Sequence, residues 1–262
     1  MEKSGIMAKR STGERRKELA EFLVTEGKVK VGALAERFGV STETIRKDLI
    51  FLDAEGIVRK RHGSATIASG LVERSYAQKA QHNRREKSAV AKAAVRMIPL
   101  KGAVILDSGS TTYEIAKLLT LQSGLTIFTN SIAIIQLLHA SHNRVFMFGG
   151  EIRPSSMALV GGWTVDALRL VEADIAFLGT DGFAGREGPC SASFEEVEVK
   201  RAIVGSGRKK ILVCDHSKFL RSDMFLYCGF DEIDCVVTDE KAPAREIANL
   251  RRHTEVITAD LK

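Results

Sequence analysis

Residues 40–52, Val-Ser-Thr-Glu-Thr-Ile-Arg-Lys-Asp-Leu-Ile-Phe-Leu, decide the fold of the first part of the chain. Ser41 is a good helix N-cap because its hydroxyl can accept from the free N–H groups of the next turn. Ile45, Leu49 and Leu52 recur at helical spacing and give the helix an apolar face. The other side carries hydroxyls and cations near the helix start, where a helix in a DNA major groove makes base contacts. The residues that predict such a recognition helix are Ser41, Thr42, Thr44, Arg46 and Lys47.

Taken alone, this stretch also fits an amphipathic surface helix with a solvated charged face. The residues before it favour the DNA-binding interpretation. Lys30–Phe38 predicts a short helix with one apolar stripe, and Gly39 can supply the positive φ that ends it. A helix, a tight turn and a capped helix make a helix-turn-helix. Ser11 and Glu14 form a capping box that opens a further helix, which completes a three-helix core.

A basic hairpin follows the predicted recognition helix. Residues 57–67 predict two short strands around a turn at His62-Gly63. Such a hairpin can lie against phosphates or enter the minor groove, which makes the unit winged. The side chains that we expect to contact DNA from this wing are Arg59, Lys60, Arg61 and His62.

Composition and charge agree with this division. The chain has 262 residues, 44% of them hydrophobic and 27% charged, as in a globular protein. Residues 1–101 contain 22 Lys and Arg against 12 Asp and Glu, a charge of +10, whereas the remainder carries 17 against 21, a charge of −4. The excess of cations lies where DNA binding is predicted. We expect no secretory signal, no membrane span and a cytoplasmic location. The four cysteines lack Cys-x-x-Cys spacing, so we expect packed thiols and no metal.

From residue 84 onward the pattern changes to short apolar runs that alternate with helical stretches. The runs 104–106, 125–128, 145–148, 175–178, 211–214 and 235–237 suit buried strands. This alternation predicts an α/β domain with a mostly parallel sheet. We therefore expect a winged helix-turn-helix at 11–67, a polar linker at 68–83 and an α/β domain at 84–262.

Ligands of open α/β sheets bind beyond the carboxyl ends of the strands, so the residues after each strand are candidate site residues. The first such loop enters a helix and combines small residues, hydroxyls and a helix N-terminus, which together can hold a phosphate. An ordinary Ser/Thr helix cap explains the same residues equally well. The loop comprises Asp107, Ser108, Gly109, Ser110, Thr111 and Thr112.

Polar or glycine residues also follow the later strands. Several such loops at one sheet edge favour a ligand site over chance. Cations there would offset an anion and carboxylates would suit sugar hydroxyls, so a phosphorylated polyol is the predicted ligand. These further candidates are Thr129, Asn130, Gly149, Gly150, Arg153, Asp181, Gly182, Asp215 and Lys218.

The run from Ser41 to Gly63 strongly resembles the DNA-binding domain of DeoR-type bacterial transcriptional repressors, although Ser64 replaces a glycine that is usual there. The loops after the predicted strands, from Asp107-Ser-Gly-Ser-Thr-Thr to Asp215-His-Ser-Lys218, resemble the effector domain of the same family. The resemblance implies a fold similar to ribose-5-phosphate isomerase and a phosphorylated sugar as inducer. It also implies that an acidic residue and a lysine of residues 195–201 serve the site. We take these as Glu195 and Lys200, with the choice among Glu195, Glu196 and Glu198 left open.

Two functions from different classes fit these observations. The first is a transcriptional repressor without cofactor, a homodimer or homotetramer that leaves its operator when a sugar phosphate binds. The second is a sugar-phosphate isomerase in which a carboxylate such as Asp107 or Asp181 abstracts a proton and Lys218 stabilises an enediolate. Fold alone does not confer chemistry, and an attached DNA-binding domain makes sense as the output of a sensor. The sequence therefore favours the repressor.

Overall fold

The computed structural model of the protein describes residues 12–26, 29–54, 58–61, 64–67 and 75–261. They form two compact units, one before residue 75 and one from Ser75 onward. A helix begins at Tyr76, inside the segment predicted as a linker. The domain limits given above stay a prediction.

The first unit is a three-helix core with a small sheet. Its middle strand pairs antiparallel with both neighbours, and the predicted winged helix-turn-helix is confirmed. Ser11 and the turn at His62-Gly63 lie outside the described residues. The elements are α1 (Thr12–Glu26), β1 (Val29–Lys30), α2 (Val31–Phe38), α3 (Thr42–Ala54), β2 (Val58–Arg61) and β3 (Ser64–Ile67).

Apolar residues at helical spacing form the core of this unit. Leu19 and Leu23 of α1, Leu34 of α2, and Ile45 and Leu49 of α3 are fully buried. Because each helix is too short to be stable alone, this shared core provides most of its stability.

Two features fix how α3 lies against its neighbours. Gly39 has a φ of +63°, a left-handed conformation that ends α2 and lets the chain turn sharply into α3. Asp48, on the inner side of α3, is buried and accepts from Nε of Arg15 at 2.7 Å and from Nε of Arg16 at 2.9 Å. These charged hydrogen bonds tie α3 to α1, so the outer face of α3 is held in one orientation.

The second unit alternates strands and helices, as predicted. Each apolar run predicted as a strand is one, with ends that differ by at most two residues, except that the strand predicted to start at 211 begins at Gly207. In chain order the elements are α4 (Tyr76–Gln81), α5 (Arg84–Ala94), β4 (Gly102–Leu106), α6 (Ser110–Leu119), β5 (Leu125–Thr129), α7 (Ile132–Leu138), β6 (Arg144–Met147), β7 (Glu151–Arg153), β8 (Ala158–Val160), α8 (Gly162–Arg169), β9 (Ala173–Leu178), β10 (Cys190–Ser191), α9 (Phe194–Ser206), β11 (Gly207–Val213), β12 (Phe225–Leu226), β13 (Cys235–Asp239), α10 (Ala244–Leu250) and β14 (Glu255–Ala259).

Seven strands form one parallel sheet in the order β14-β13-β11-β9-β4-β5-β6. The chain enters at β4, moves outward through β5 and β6, and then returns to build the other half from β9. The strand order therefore reverses between β4 and β9. At such a switch point the loops that leave two neighbouring strands diverge and open a crevice at the carboxyl edge.

Helices cover both faces of the sheet. Val104 and Leu106 of β4 belong to a cluster with α5, α6 and α7, whereas Ile105 belongs to a cluster with α8, α9 and α10. Both sides of the strands are thus buried, which explains why the sequence shows continuous apolar runs. None of the helices in the described ranges is long and apolar enough to cross a membrane.

Candidate functional site

The start of α3 has the cap that the sequence predicts. The Ser41 hydroxyl accepts from the Thr44 N–H at 3.1 Å and lies 2.9 Å from the Thr44 hydroxyl. Ser41 and Thr42 are exposed, and Thr44 is partly exposed. Three hydroxyl groups therefore lie together at the N-terminal end of the helix, where they can meet a base edge or a phosphate.

The exposed face of α3 continues with two cations. Arg46 and Lys47 are exposed, on the side opposite the buried Ile45 and Leu49. The Arg46 side chain is 56% exposed, and its Nη1 lies 3.7 Å from a carboxylate oxygen of Glu43, one turn earlier. An exposed guanidinium at this position can form two parallel hydrogen bonds with a guanine.

The exposed face of α3 also carries Ile50, which the sequence analysis did not single out. Its side chain is 54% exposed and is therefore available to a partner. The methyl group of a thymine is a fitting apolar contact in a major groove. The exposure of Ile50 follows from the same helical spacing that places Ile45 inside.

The wing contributes the backbone of β2, which contains Arg59, Lys60 and Arg61. Lys60 pairs with Ala65 and Arg61 with Ser64 in the antiparallel ladder with β3. His62 lies outside the described residues. The DNA contacts of these four side chains remain a prediction.

In the second unit a pocket lies at the carboxyl edge of the sheet, at the switch point between β4 and β9. We call it the rim pocket. It is lined by Tyr76, Lys79, Ser108, Gly109, Ser110, Thr111, Ser156, Gly179, Thr180, Asp181, Glu196, Lys200 and Lys218.

One wall of the rim pocket is the loop from β4 into α6. No described side chain caps α6, so its first N–H groups are available to a ligand at the pocket. Asn130 Oδ1 accepts from the Ser108 N–H at 3.0 Å, and the Thr112 hydroxyl donates to the carbonyls of Asp107 and Gly109 at 2.6 and 2.9 Å. These bonds hold the loop in place. A fixed loop at an uncapped helix N-terminus is suited to a phosphate group.

Lys218 faces this wall without a partner. It is 7% exposed, and its ammonium group has no hydrogen bond or ion pair with any residue in the described ranges. Burial, followed by the nearby Arg221, lowers the pKa of Lys218 well below its usual range. Asp181 and Asp215 act in the opposite direction but do not outweigh these effects. An uncompensated buried cation is costly, and an anion in the pocket would remove that cost.

A second polar group at the pocket is also unsatisfied. The hydroxyl of Tyr76 is buried and has no hydrogen bond within the described part of the chain. Buried hydroxyls are normally hydrogen-bonded. Lys218 and Tyr76 thus offer donors that a ligand can use.

The remaining cations of the pocket are paired. Lys200 forms a buried ion pair with Asp107 and also donates to the Gly179 carbonyl at 3.2 Å. Burial opposes the charge of Lys200, but Asp107 and Glu196 outweigh it and raise its pKa. Asp107 accepts from the Gly179 N–H at 2.9 Å. This pair therefore connects the loops that follow β4 and β9.

Asp181 and Glu196 are the carboxylates that line the pocket. Lys79 Nζ lies 2.7 Å from Asp181, and Arg153 Nη1 lies 3.1 Å from Glu196. Burial alone would raise the pKa of Asp181, but Lys79 and Lys218 outweigh burial and hold that pKa below its usual range. Asp181 is therefore a weak base and a good acceptor for hydroxyl groups.

Of the residues predicted for this site, the structure brings seven to the pocket: Ser108, Gly109, Ser110, Thr111, Asp181, Lys200 and Lys218. Others support it from behind. Asp107, Thr112 and Asn130 hold its loops as described, and the Thr129 hydroxyl donates to the Leu106 carbonyl at 2.7 Å. Asp215 accepts from the Ser217 N–H at 3.0 Å and from Asn83 at 2.7 Å.

Of the predicted glycines, Gly149, Gly150 and Gly182 do not line the pocket. Gly150 has a φ of +151°, and a Cβ there would lie 2.1 Å from the Thr164 hydroxyl. The Gly149 carbonyl accepts from that hydroxyl at 2.6 Å. Gly150 therefore allows the chain to approach α8 closely. The Gly182 N–H donates to the Thr180 hydroxyl at 3.0 Å, which shapes the loop after β9.

The structure places the three candidate glutamates differently. Glu195 is exposed and accepts from the Ser193 hydroxyl, whereas Glu196 is buried and lines the pocket. Glu198 is exposed. The side chains of neighbouring residues in a helix point about 100° apart, so only one of Glu195 and Glu196 can face the sheet edge. The N-cap at Ser193 fixes where the helix begins and thereby which of the two does so.

Sequence reasoning did not select several lining residues: Tyr76, Lys79, Ser156, Gly179 and Thr180. Gly179 and Thr180 directly follow a predicted strand, and this position alone would have indicated them as site residues. Tyr76 and Lys79 fall in the predicted linker, where no pattern in the sequence indicates a site. All four cysteines are buried free thiols, and no group of three potential metal ligands occurs within the described ranges.

Comparison with known proteins agrees with both units. Residues 15–70 match the DeoR-like helix-turn-helix domain, and residues 82–240 match the DeoR C terminal sensor domain. A proposed aga operon transcriptional repressor of Escherichia coli O157:H7 is 35% identical over 95% of this chain and 94% of its own. The glycerol-3-phosphate regulon repressor of Escherichia coli K12 is 30% identical over 92% and 96%.

Among solved structures, ribose 5-phosphate isomerase A from Methanocaldococcus jannaschii aligns with 52% of this chain and 54% of its own, at 17% identity and a TM-score of 0.38. A likeness of this size says nothing about activity. The matched families span the helix-turn-helix and most of the α/β unit, and the relatives align over nearly their full length. The chain belongs to the DeoR family of DNA-binding transcriptional regulators.

Proposed function

We propose that this regulator represses a carbohydrate-utilisation operon and leaves its operator when a phosphorylated sugar binds the rim pocket. The observation that carries the proposal is the buried, unpaired ammonium group of Lys218 beside the uncapped N-terminus of α6. Both features attract an anion, and they belong to different elements of one pocket.

The other lining groups fit the sugar part of such a ligand. Asp181 and Glu196 can accept from hydroxyl groups, and the hydroxyl of Tyr76 lacks a partner among the described residues. Two relatives are named as regulators of the aga operon and of the glycerol-3-phosphate regulon, which supports a phosphorylated metabolite as effector. We assign the phosphate to Ser108, Gly109, Ser110, Thr111 and Lys218.

In this proposal the protein acts as a homodimer or homotetramer on double-stranded operator DNA. Two recognition helices would meet two half-sites, whose spacing must match that of the helices. A sugar phosphate releases the DNA only if it binds the released conformer more tightly than the DNA-bound one. The function would place the protein in the compartment that holds the DNA.

Fluorescence anisotropy tests the proposal directly. The purified chain is titrated onto labelled DNA from the region upstream of its own gene, and then glycerol 3-phosphate, fructose 6-phosphate, ribose 5-phosphate and inorganic phosphate are added. We expect tight binding that one sugar phosphate reverses. Failure to bind double-stranded DNA at low ionic strength would refute the proposal.

We further propose that the rim pocket binds without catalysing a reaction. An isomerase needs a free base beside the substrate, whereas Asp107, Asp181 and Glu196 each form an ion pair. The pKa of Asp181 is lowered, which makes that carboxylate a poor proton acceptor. Proton exchange from pentose and hexose phosphates, followed by NMR, should therefore equal the rate without protein. Exchange that is lost in Asp181→Asn would favour an enzyme.

A further inference from the structure

The helix α4 closes one side of the rim pocket. It is fastened at its start by a capping box between Ser75 and Gln78 and by the Tyr76 N–H, which donates to the Ser155 carbonyl at 2.7 Å. The Tyr76 ring packs edge to face on Tyr113 of α6, with the ring centroids 6.3 Å apart. At its other end, Lys87 of α5 donates to the carbonyls of Lys79 and His82, so both ends of the helix are held against the second unit.

An ion pair joins α4 to the far side of the pocket. Lys79 Nζ lies 2.7 Å from Asp181, with 17% and 10% of the two side chains exposed. Asp181 also accepts from the Ala192 N–H at 3.1 Å, so it is fixed to its own loop. We call the Lys79–Asp181 pair the latch. It is largely shielded from water, so it is stronger than an ion pair on an open surface.

The space left behind the latch is small. The cavity measures about 40 Å³, whereas pockets for small molecules hold roughly 300–1,000 Å³. A sugar phosphate does not fit this volume, so the pocket must widen when the ligand binds. The hydroxyl groups of the sugar would compete with Lys79 for Asp181. A ligand that takes Asp181 as its acceptor therefore opens the latch.

Within the described part of the chain, the helix α4 is the first element after the DNA-binding unit. Ser75, the cap of α4, is the first residue of the second unit, and the unit that precedes it contains the helix-turn-helix. A shift of α4 thus moves the point at which the DNA-binding unit is attached. In an oligomer this point helps to set the spacing of the recognition helices.

We infer that the closed latch between Lys79 and Asp181 belongs to the operator-binding conformer, and that a sugar phosphate opens it and releases α4. The inference rests on the proposed function above and adds its regulation. Lys79 is then a residue of the sensor that the effector displaces.

The test uses the full chain and the variant Lys79→Met, which keeps the length of the side chain and removes its charge. Lys92→Met is the matched control, because Lys92 is exposed on α5 and does not line the pocket. Without effector, Lys79→Met should bind operator DNA roughly 5-fold more weakly or worse, the lower range of allosteric couplings. Lys92→Met and the conservative Lys79→Arg should match the wild type.

Hydrogen exchange, measured by mass spectrometry on residues 75–83, reports α4 itself. We expect faster exchange in Lys79→Met without ligand, and in the wild type when the releasing sugar phosphate is added. Equal operator affinity and equal exchange in Lys79→Met and Lys92→Met would overturn the inference. Release of the wild type with unchanged exchange in 75–83 would overturn it too, while the proposed function would stand. A wild type that fails to bind DNA removes both.

Discussion

Replacing Lys200 with methionine should make the stability of the second unit depend strongly on pH. In the wild type the Lys200 and Asp107 side chains are 5% and 1% exposed and neutralise each other. The variant leaves Asp107 buried without a cation. Removing one partner of a buried pair costs about 3–5 kcal/mol, because the remaining charge is no longer compensated.

The sign of the pH dependence follows from Asp107. Burial already raises the pKa of Asp107 in the folded wild type, although Lys200 acts in the opposite direction. The loss of Lys200 raises that pKa further above its value of about 4 in the unfolded chain. The folded variant then binds a proton that the unfolded variant does not. Between these two pKa values the free energy of unfolding falls by roughly 1.4 kcal/mol for each unit that the pH rises. The loss is therefore small near the unfolded pKa and largest at neutral pH.

Hydrogen exchange of the slowest amides of β4 and β9 measures this free energy for the second unit alone. Lys209→Met is the control, since Lys209 is exposed on β11 and its replacement should change stability by less than about 0.5 kcal/mol. The double variant Asp107→Asn, Lys200→Met removes both charges and should lose the pH dependence. A destabilisation by Lys200→Met that is constant from acidic to neutral pH, or no larger than that of the control, would refute the reasoning.

Three further predictions concern binding. Arg46→Ala should weaken operator binding by about 1–3 kcal/mol and relax base preference at one position. Lys60→Ala should mainly lower the slope of the logarithm of affinity against the logarithm of salt concentration by about 1. Equal, sequence-independent losses for both variants in anisotropy titrations would mean that Arg46 contacts only phosphate. Ser110→Ala with Thr111→Ala should leave operator affinity unchanged and raise the effector concentration needed for release by about tenfold, since each hydroxyl hydrogen bond contributes roughly 0.5–1.5 kcal/mol. Effector affinity should fall as the pH rises above the lowered pKa of Lys218, because the anion binds the protonated amine; calorimetry at several pH values should find this dependence in the wild type and not in Lys218→Met.

The sequence predicted best what short-range patterns determine. Ile45, Leu49 and Leu52 repeat at helical spacing and are buried, and Ser41 caps the helix that they belong to. The apolar runs around Ile105 and Phe177 became neighbouring parallel strands, because each needs cover on both faces. The loop at residues 108–111 could be placed at a ligand pocket for the same reason, since the rule about the carboxyl edge needs only the strand ends.

The sequence could not predict what depends on contacts between distant residues. Arg153 was expected to offset an anion, but it pairs with Glu196, 43 positions away. Lys79 lies in a stretch without a clear pattern and reaches the pocket only because α4 folds back onto it. The glycines at 149 and 150 resemble a ligand loop in sequence, and only the approach of Thr164 reveals that Gly150 serves packing.

The rim pocket draws its walls from residues 76–79, 108–111, 156, 179–181, 196–200 and 218, which span more than half of the chain. It is therefore complete only when both halves of the sheet have assembled around the switch point, and partly folded or truncated chains lack it. A molecule that binds there stabilises the native state alone, by an amount that grows with the logarithm of its concentration. The melting temperature of the protein therefore reports the binding of its effector. A collection of metabolites can be screened by thermal shift, without knowledge of the operator.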